Sequence, residues 1–219
     1  MKEQEIERIF TRNKPRYNDL GQGESLKVLA DKIMSLPGNA RGEIIASNLK
    51  ETKESKGQES LKRIEQRMKE LGYPIKLQEI RSEEYYQESL NVLINLVKKE
   101  IFKMNDRDIF FSGMNGSKLS LFSKMMMSYF ISFETIKKHG PRYWDKVFDF
   151  GSFEVTKIDK EKKEVVFKIE GYNKSSISCI FQAGYYYGTL KNVFGKEFFI
   201  EETKCIHAGD LFHEYKFNW

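Results

Sequence analysis

Apolar residues recur at helical spacing through the first two thirds of the chain. Leu61, Ile64, Met68 and Leu71 form one stripe that ends at Gly72-Tyr73-Pro74, and Tyr86, Leu90, Leu93, Val97 and Ile101 form a second. Ser82 stands where an N-cap would lie before that second helix, with Glu83 and Glu84 in its first turn, where carboxylates face the positive end of the helix dipole. Phe122, Met126, Tyr129 and Phe133 make a third stripe, closed by His139-Gly140-Pro141. Shorter helices are predicted over residues 2–11, 24–35 and 41–55, with Leu36-Pro37-Gly38-Asn39 as a break. Near Gly151 the period changes to two. Val165, Phe167 and Ile169 alternate with Glu164, Val166 and Lys168, and the polar run from Asp159 to Glu164 reads as a hairpin connection. A helix over residues 176–194, a strand over 197–202 and a last strand follow, the last with His213, Tyr215, Phe217 and Trp219 on one face. The fold class is therefore α+β: an N-terminal helical half, then a mainly antiparallel sheet with a packed helix. Residues 1–39 read as an N-terminal helical extension, and 40–219 as one ligand-binding domain with a helical part (40–150) and a sheet part (151–219).

Composition adds one positive signal and several exclusions. The chain has 219 residues, 17 of them Phe and 11 Tyr, which calls for a wide core or an aromatic-lined cavity. Its net charge of +5 comes from 37 basic and 32 acidic residues that interleave, as in Lys50-Glu51 and Lys53-Glu54. No basic block or stripe of the kind nucleic acid requires stands out. Two cysteines and a charged N-terminus without an apolar segment point to a reducing, cytoplasmic setting. No run approaches the ~20 apolar residues of a membrane span.

The candidate chemistry lies in the last quarter. Cys179, Glu202, Cys205 and His213 are two thiols, a carboxylate and an imidazole, the ligand types of a closed tetrahedral structural zinc site. The competing reading is two buried apolar cysteines and a satisfied core histidine. His207 and Asp210 are rival ligands, and His139 is explained by a helix C-terminus. Ala183, Gly184 and Gly188 read as close packing of a helix on a sheet. No nucleophile elbow, phosphate loop, dinucleotide fingerprint or His-Glu-x-x-His run occurs, and Gly113-Met-Asn-Gly116 is too short for a phosphate cradle. Catalysis thus has no positive sign, and the chain is read as a non-enzyme.

The segment from Gly151 to Trp219 resembles the 4-vinyl reductase domain family, related to phenol-responsive activator sensors and to TRAPP small subunits. The resemblance is carried by Cys179-Ile-Phe-Gln-Ala-Gly-Tyr-Tyr-Tyr-Gly188, Phe194-Gly195-Lys196, Glu202-Thr-Lys-Cys205-Ile-His-Ala-Gly-Asp210 and His213, the last replacing a family cysteine. It implies a structural Zn²⁺ held by Cys179, Glu202, Cys205 and His213. It also implies a sensor that encloses a small hydrophobic or aromatic ligand, transmits binding to a partner or second copy, and forms a homodimer. The pocket residues so implied are Phe122, Met126, Phe133, Tyr143, Val147, Ile169 and Tyr186, with Met125-Met126-Met127 as an adaptable surface. Val147 and Ile169 stand near the places of the His and Trp that orient phenol in relatives, so polar recognition of the ligand is expected to be missing.

Two other readings remain. Residues 40–150 look similar to the helical half of haem nitric-oxide-binding sensors. A haem-based gas sensor would need an imidazole there, where only His139 is available, and Tyr172-Asn-Lys-Ser-Ser176 lacks the closing Arg of their propionate motif. A ligand-free protein-interaction module is the third, and vinyl reduction has no visible redox site.

Overall fold

The computed structural model describes residues 25–119 and 132–219. The expected helix over 2–11, Met125 to Met127, and the stripe residues Phe122, Met126 and Tyr129 lie outside the described residues.

The helical half opens with α1 (Leu26–Met34), whose N-cap Ser25 accepts a hydrogen bond from the Val28 amide. It continues with β1 (Asn39–Arg41), α2 (Gly42–Lys56), α3 (Glu59–Glu70), β2 (Tyr85–Gln87), α4 (Glu88–Ile101), α5 (Asp106–Leu119) and α6 (Phe133–Val147). The second half has β3 (Ser152–Asp159), β4 (Glu164–Glu170), α7 (Ser176–Phe194), β5 (Phe199–Lys204) and β6 (His213–Asn218). These four strands form an antiparallel sheet in the order β3-β4-β6-β5. The α+β class with a helical first half is as expected.

One apolar core joins the halves. It contains Leu29 and Ile33 of α1, Phe110 of α5, Trp144 of α6, Phe153 and Phe167 of the sheet and Tyr187 of α7. A second core under α2, α3 and α4 gathers Ile45, Ile64, Met68, Leu93 and Val97. The stripes over residues 61–71 and 90–101 are the inward faces of α3 and α4.

Four local expectations give way. Ser82 is not an N-cap: it lies in a turn that leads into β2, where Tyr86 pairs with Ala40 of β1, and α4 starts only at Glu88. Helix α6 starts at Phe133 behind its N-cap Ser132 and runs on to Val147, so the expected stop at His139-Gly140-Pro141 falls inside it. Its buried face of Phe133, Ile136, Gly140, Trp144 and Val147 offsets the hydrogen bond that Pro141 cannot donate. Residues 106–119, not read as a helix, form α5. Finally, Gly184 and Gly188 pack α7 on α5, not on the sheet: a Cβ at Gly184 would lie 2.0 Å from the Phe110 carbonyl oxygen, and one at Gly113 would lie 2.1 Å from that of Phe181. Glycine is required because two helix backbones touch.

Candidate functional site

A chamber lies where the helical half meets the sheet. Its volume is about 100 Å³. The buried face of α6 supplies Ile136, Tyr143, Trp144 and Val147, α7 supplies Phe181, Gln182 and Tyr186, and the sheet supplies Phe153 and Phe167. Trp144 is fixed by its Nε1–H, which donates to the Phe150 carbonyl at 2.8 Å.

Part of the lining is polar. Glu88 and Asn91, in the first turn of α4, line the chamber together with Tyr172 and Ser178. Glu88 is 1% exposed. Its Oε1 accepts from the Tyr172 hydroxyl at 2.5 Å and from Asn91 Nδ2 at 3.0 Å. Its Oε2 has no hydrogen-bond partner among the described residues, and neither has Gln182 Oε1. Burial pushes the Glu88 carboxyl up to about 7 against the pull of Tyr172 and Asn91, and burial also holds the Tyr172 and Tyr186 phenols well above their ordinary range. Behind this wall the polar chain continues. Asn48 donates to Asn91 and Asn95, and Lys98, 1% exposed, donates to Asn48, Glu51 and Ser112. Burial lowers the Lys98 ammonium to about 8, with Glu51 opposing the shift.

The second cluster lies at the first turn of α7, around Cys179. The ligand-type atoms of Cys179, Glu202, Cys205 and His213 all fall within 4.8 Å of one another. The two sulfurs are 3.7 Å apart, and Cys179 Sγ is 3.7 Å from His213 Nδ1. His213 Nδ1 is 3.2 Å from Glu202 Oε1, and its Nε2 is 2.9 Å from the Tyr172 carbonyl oxygen. The cysteines are free thiols. Hydrogen bonding from Cys179 lowers the Cys205 thiol to about 6 against its burial. Burial opposes a charged His213, but Cys205, Glu202 and the Tyr172 carbonyl outweigh it and raise the imidazole to about 9.

Of the expected pocket residues, Tyr143, Val147 and Tyr186 line the chamber. Phe133 is buried elsewhere, between Phe194 at 4.4 Å and Trp219 at 4.7 Å, and Ile169 is buried in the sheet outside the lining. Phe122 and Met126 lie outside the described residues. Sequence reasoning missed Glu88, Tyr172 and Gln182. Nothing in the local sequence separates Glu88 from the neighbouring Glu83 and Glu84; the one sign is the polar stripe Glu88, Asn91, Asn95 and Lys98, which runs down a helix rich in Leu, Val and Ile.

No family model and no curated protein matches the chain. Solved structures do. An H-NOX protein from S. oneidensis in the Fe(II)NO ligation state is 13% identical with a TM-score of 0.60, covering 81% of this chain and 98% of that one. A mutant of an S. oneidensis H-NOX protein in the Fe(II) state gives 12% identity and a TM-score of 0.61, over 81% and 95% of the two chains. Unliganded Fe(II) H-NOX from K. algicida gives 13% and 0.55, over 81% and 95%. The chain has the H-NOX fold. The expected kinship with the 4-vinyl reductase domain and TRAPP subunits is thereby corrected: the similar structures are H-NOX proteins, described with Fe(II) and haem. The two expectations drawn from that kinship are corrected with it. Structural zinc gives way, and the four C-terminal side chains are held by the hydrogen bonds just described. The sensor of a hydrophobic ligand without polar recognition gives way as well, since the H-NOX-fold chamber carries a wall with Glu88 in it. No helix among the described residues is long and apolar enough to cross a membrane.

Proposed function

We propose that this chain is a sensor domain built on the gas-sensor architecture, with the helix–sheet chamber as the place where the sensed molecule is held. The observation that carries this reading is the position of the chamber. Its walls come from α2, α4 and α6 on one side and from β3, β4 and α7 on the other, so an occupant touches both halves at once. A molecule that binds one packing of the halves better than another shifts their equilibrium, which is the minimum a sensor needs.

Haem, the group that H-NOX proteins are described with, does not fit this lining. A chamber of about 100 Å³ is of the order of the ~150 Å³ cavity that admits a benzene ring, far below a four-pyrrole macrocycle. No His, Lys or Arg lines it among the described residues, so iron lacks an imidazole and two propionates lack a cation. One observation favours a haem reading all the same: His139, the single histidine of the helical half, directly precedes Gly140 of the lining on α6.

The sensor reading is tested by hydrogen exchange with toluene as a one-ring occupant. Protection should rise on both sides of the chamber, at the start of α4 and around Phe153 and Phe167. Protection confined to one half, or none at saturation, would overturn it.

A further inference from the structure

The chamber combines two things rarely buried together. One wall is a set of aromatic faces, from Trp144, Phe148, Phe153, Phe167 and Tyr186. The other holds Glu88, the one charged side chain in the lining among the described residues. That carboxylate has two tasks and one is unfilled. Oε1 is saturated by Tyr172 and Asn91, whereas Oε2 is buried without a partner. Two further lining residues carry a buried oxygen without a partner among the described residues: Gln182, whose Oε1 can only accept, and Ser178, whose hydroxyl can donate or accept. The nearby ammonium of Lys174 does not fill the gap, because it donates to the Pro37 carbonyl and lies 4.5 Å from the Phe150 ring centroid. A buried acceptor left without a donor costs free energy that a donor brought by an occupant would restore. Aromatic faces attract cations through their ring quadrupoles.

We infer that the chamber binds a small organic cation: a one-ring or short-chain ammonium whose nitrogen donates to Glu88 Oε2 and Gln182 Oε1 while its body packs against the aromatic wall. The ammonium supplies the donors that both oxygens lack and places a positive charge inside the chamber, where Lys174 reaches Glu88 only from outside the lining, and the volume limits the body to about one ring. An anionic ligand of the same size would meet Glu88 and be rejected. The inference rests on the chamber being the sensing site but adds its chemistry, and the two fail separately: toluene reports occupancy and coupling of the halves, the charge series below reports recognition.

The test is calorimetric titration of the full chain with benzylamine, benzyl alcohol and benzoate at pH 7.5. Benzylamine should bind one per chain and at least tenfold more tightly than its neutral isostere, with benzoate weaker still. Glu88→Gln should abolish that preference and leave benzyl alcohol binding within a few-fold of the parent. If Glu88→Gln does not fold, the comparison of the three probes on the unaltered chain still decides. Equal affinity for benzylamine and benzyl alcohol, or no binding of benzylamine, would overturn the inference, as would an undiminished amine preference in a folded Glu88→Gln chain.

Discussion

The Tyr172 hydroxyl donates to Glu88 Oε1 at 2.5 Å, a buried contact between residues 84 positions apart that ties the segment entering α7 to the first turn of α4. It is a polar bolt through the wall of the chamber, joining the two halves of the domain. Tyr172→Phe keeps the ring, which packs edge-on against Trp144 and Phe148, and removes only the donor. The loss should destabilise the chain by about 1–3 kcal/mol in urea denaturation, because Glu88 stays buried with one donor fewer.

The same carboxyl makes stability depend on pH in a direction that can be stated in advance. Glu88 holds its proton up to about pH 7 in the folded state, whereas an unfolded glutamate releases it near 4.3. Across that window the native state binds more protons than the unfolded chain, so stability falls as pH rises and the loss is complete above about 7. The full effect is on the order of 3 kcal/mol, from the shift itself. Glu88→Gln should flatten the profile between pH 5 and 7.5 and melt higher than the parent at pH 7.5.

The contact between α5 and α7 makes a sharp steric prediction. Gly184→Ala places a methyl 2.0 Å from the Phe110 carbonyl oxygen and must push two helix backbones apart. It should cost several kcal/mol, at the upper end of ordinary core changes, or prevent folding. Gly116→Ala, on the same α5, meets nothing within 4 Å among the described residues and should be neutral or stabilising by up to ~1 kcal/mol through helix propensity. Thermal melting of the pair separates close packing from a general intolerance of side chains.

In the C-terminal cluster His213 bridges Glu202 and the Tyr172 carbonyl, and is 1% exposed. His213→Ala removes a buried group that satisfies two acceptors. A loss of about 2–4 kcal/mol is expected by chemical denaturation, larger than for His207→Ala on the neighbouring 3₁₀ turn.

How far the sequence carried the structure follows from what each pattern encodes. The switch from a period of 3.6 to a period of 2 near Gly151 marked the two halves, because burial of one face writes that period directly into the chain. The terminal strand was legible for the same reason: His213, Tyr215 and Phe217 face inward on β6. The meeting of Cys179, Glu202, Cys205 and His213 was expected on the resemblance to 4-vinyl reductase domains, and the four do come together although that kinship is corrected. Part of the chamber's apolar lining, Tyr143, Val147 and Tyr186, was among the residues that the resemblance implied. The chamber's polar side was not legible, because local sequence does not distinguish a buried Glu88 from a solvated one; what buries it is Tyr172, far along the chain. The start of α4 was misplaced for a related reason, since the pairing of β2 with β1 depends on residues more than forty positions away. Helix α5 was missed because Gly113 and Gly116 weaken its local signal, and the value of Gly113 appears only at the crossing with α7.

The most direct test of the chamber's assigned chemistry is a titration of the purified full chain with hemin, followed in the Soret region of the visible spectrum. Among the described residues the lining offers no imidazole for iron and no cation for propionates, so the expected result is no saturable one-to-one Soret band, and no difference between the parent and His139→Ala. A saturable band with one haem per chain that disappears in His139→Ala would contradict it.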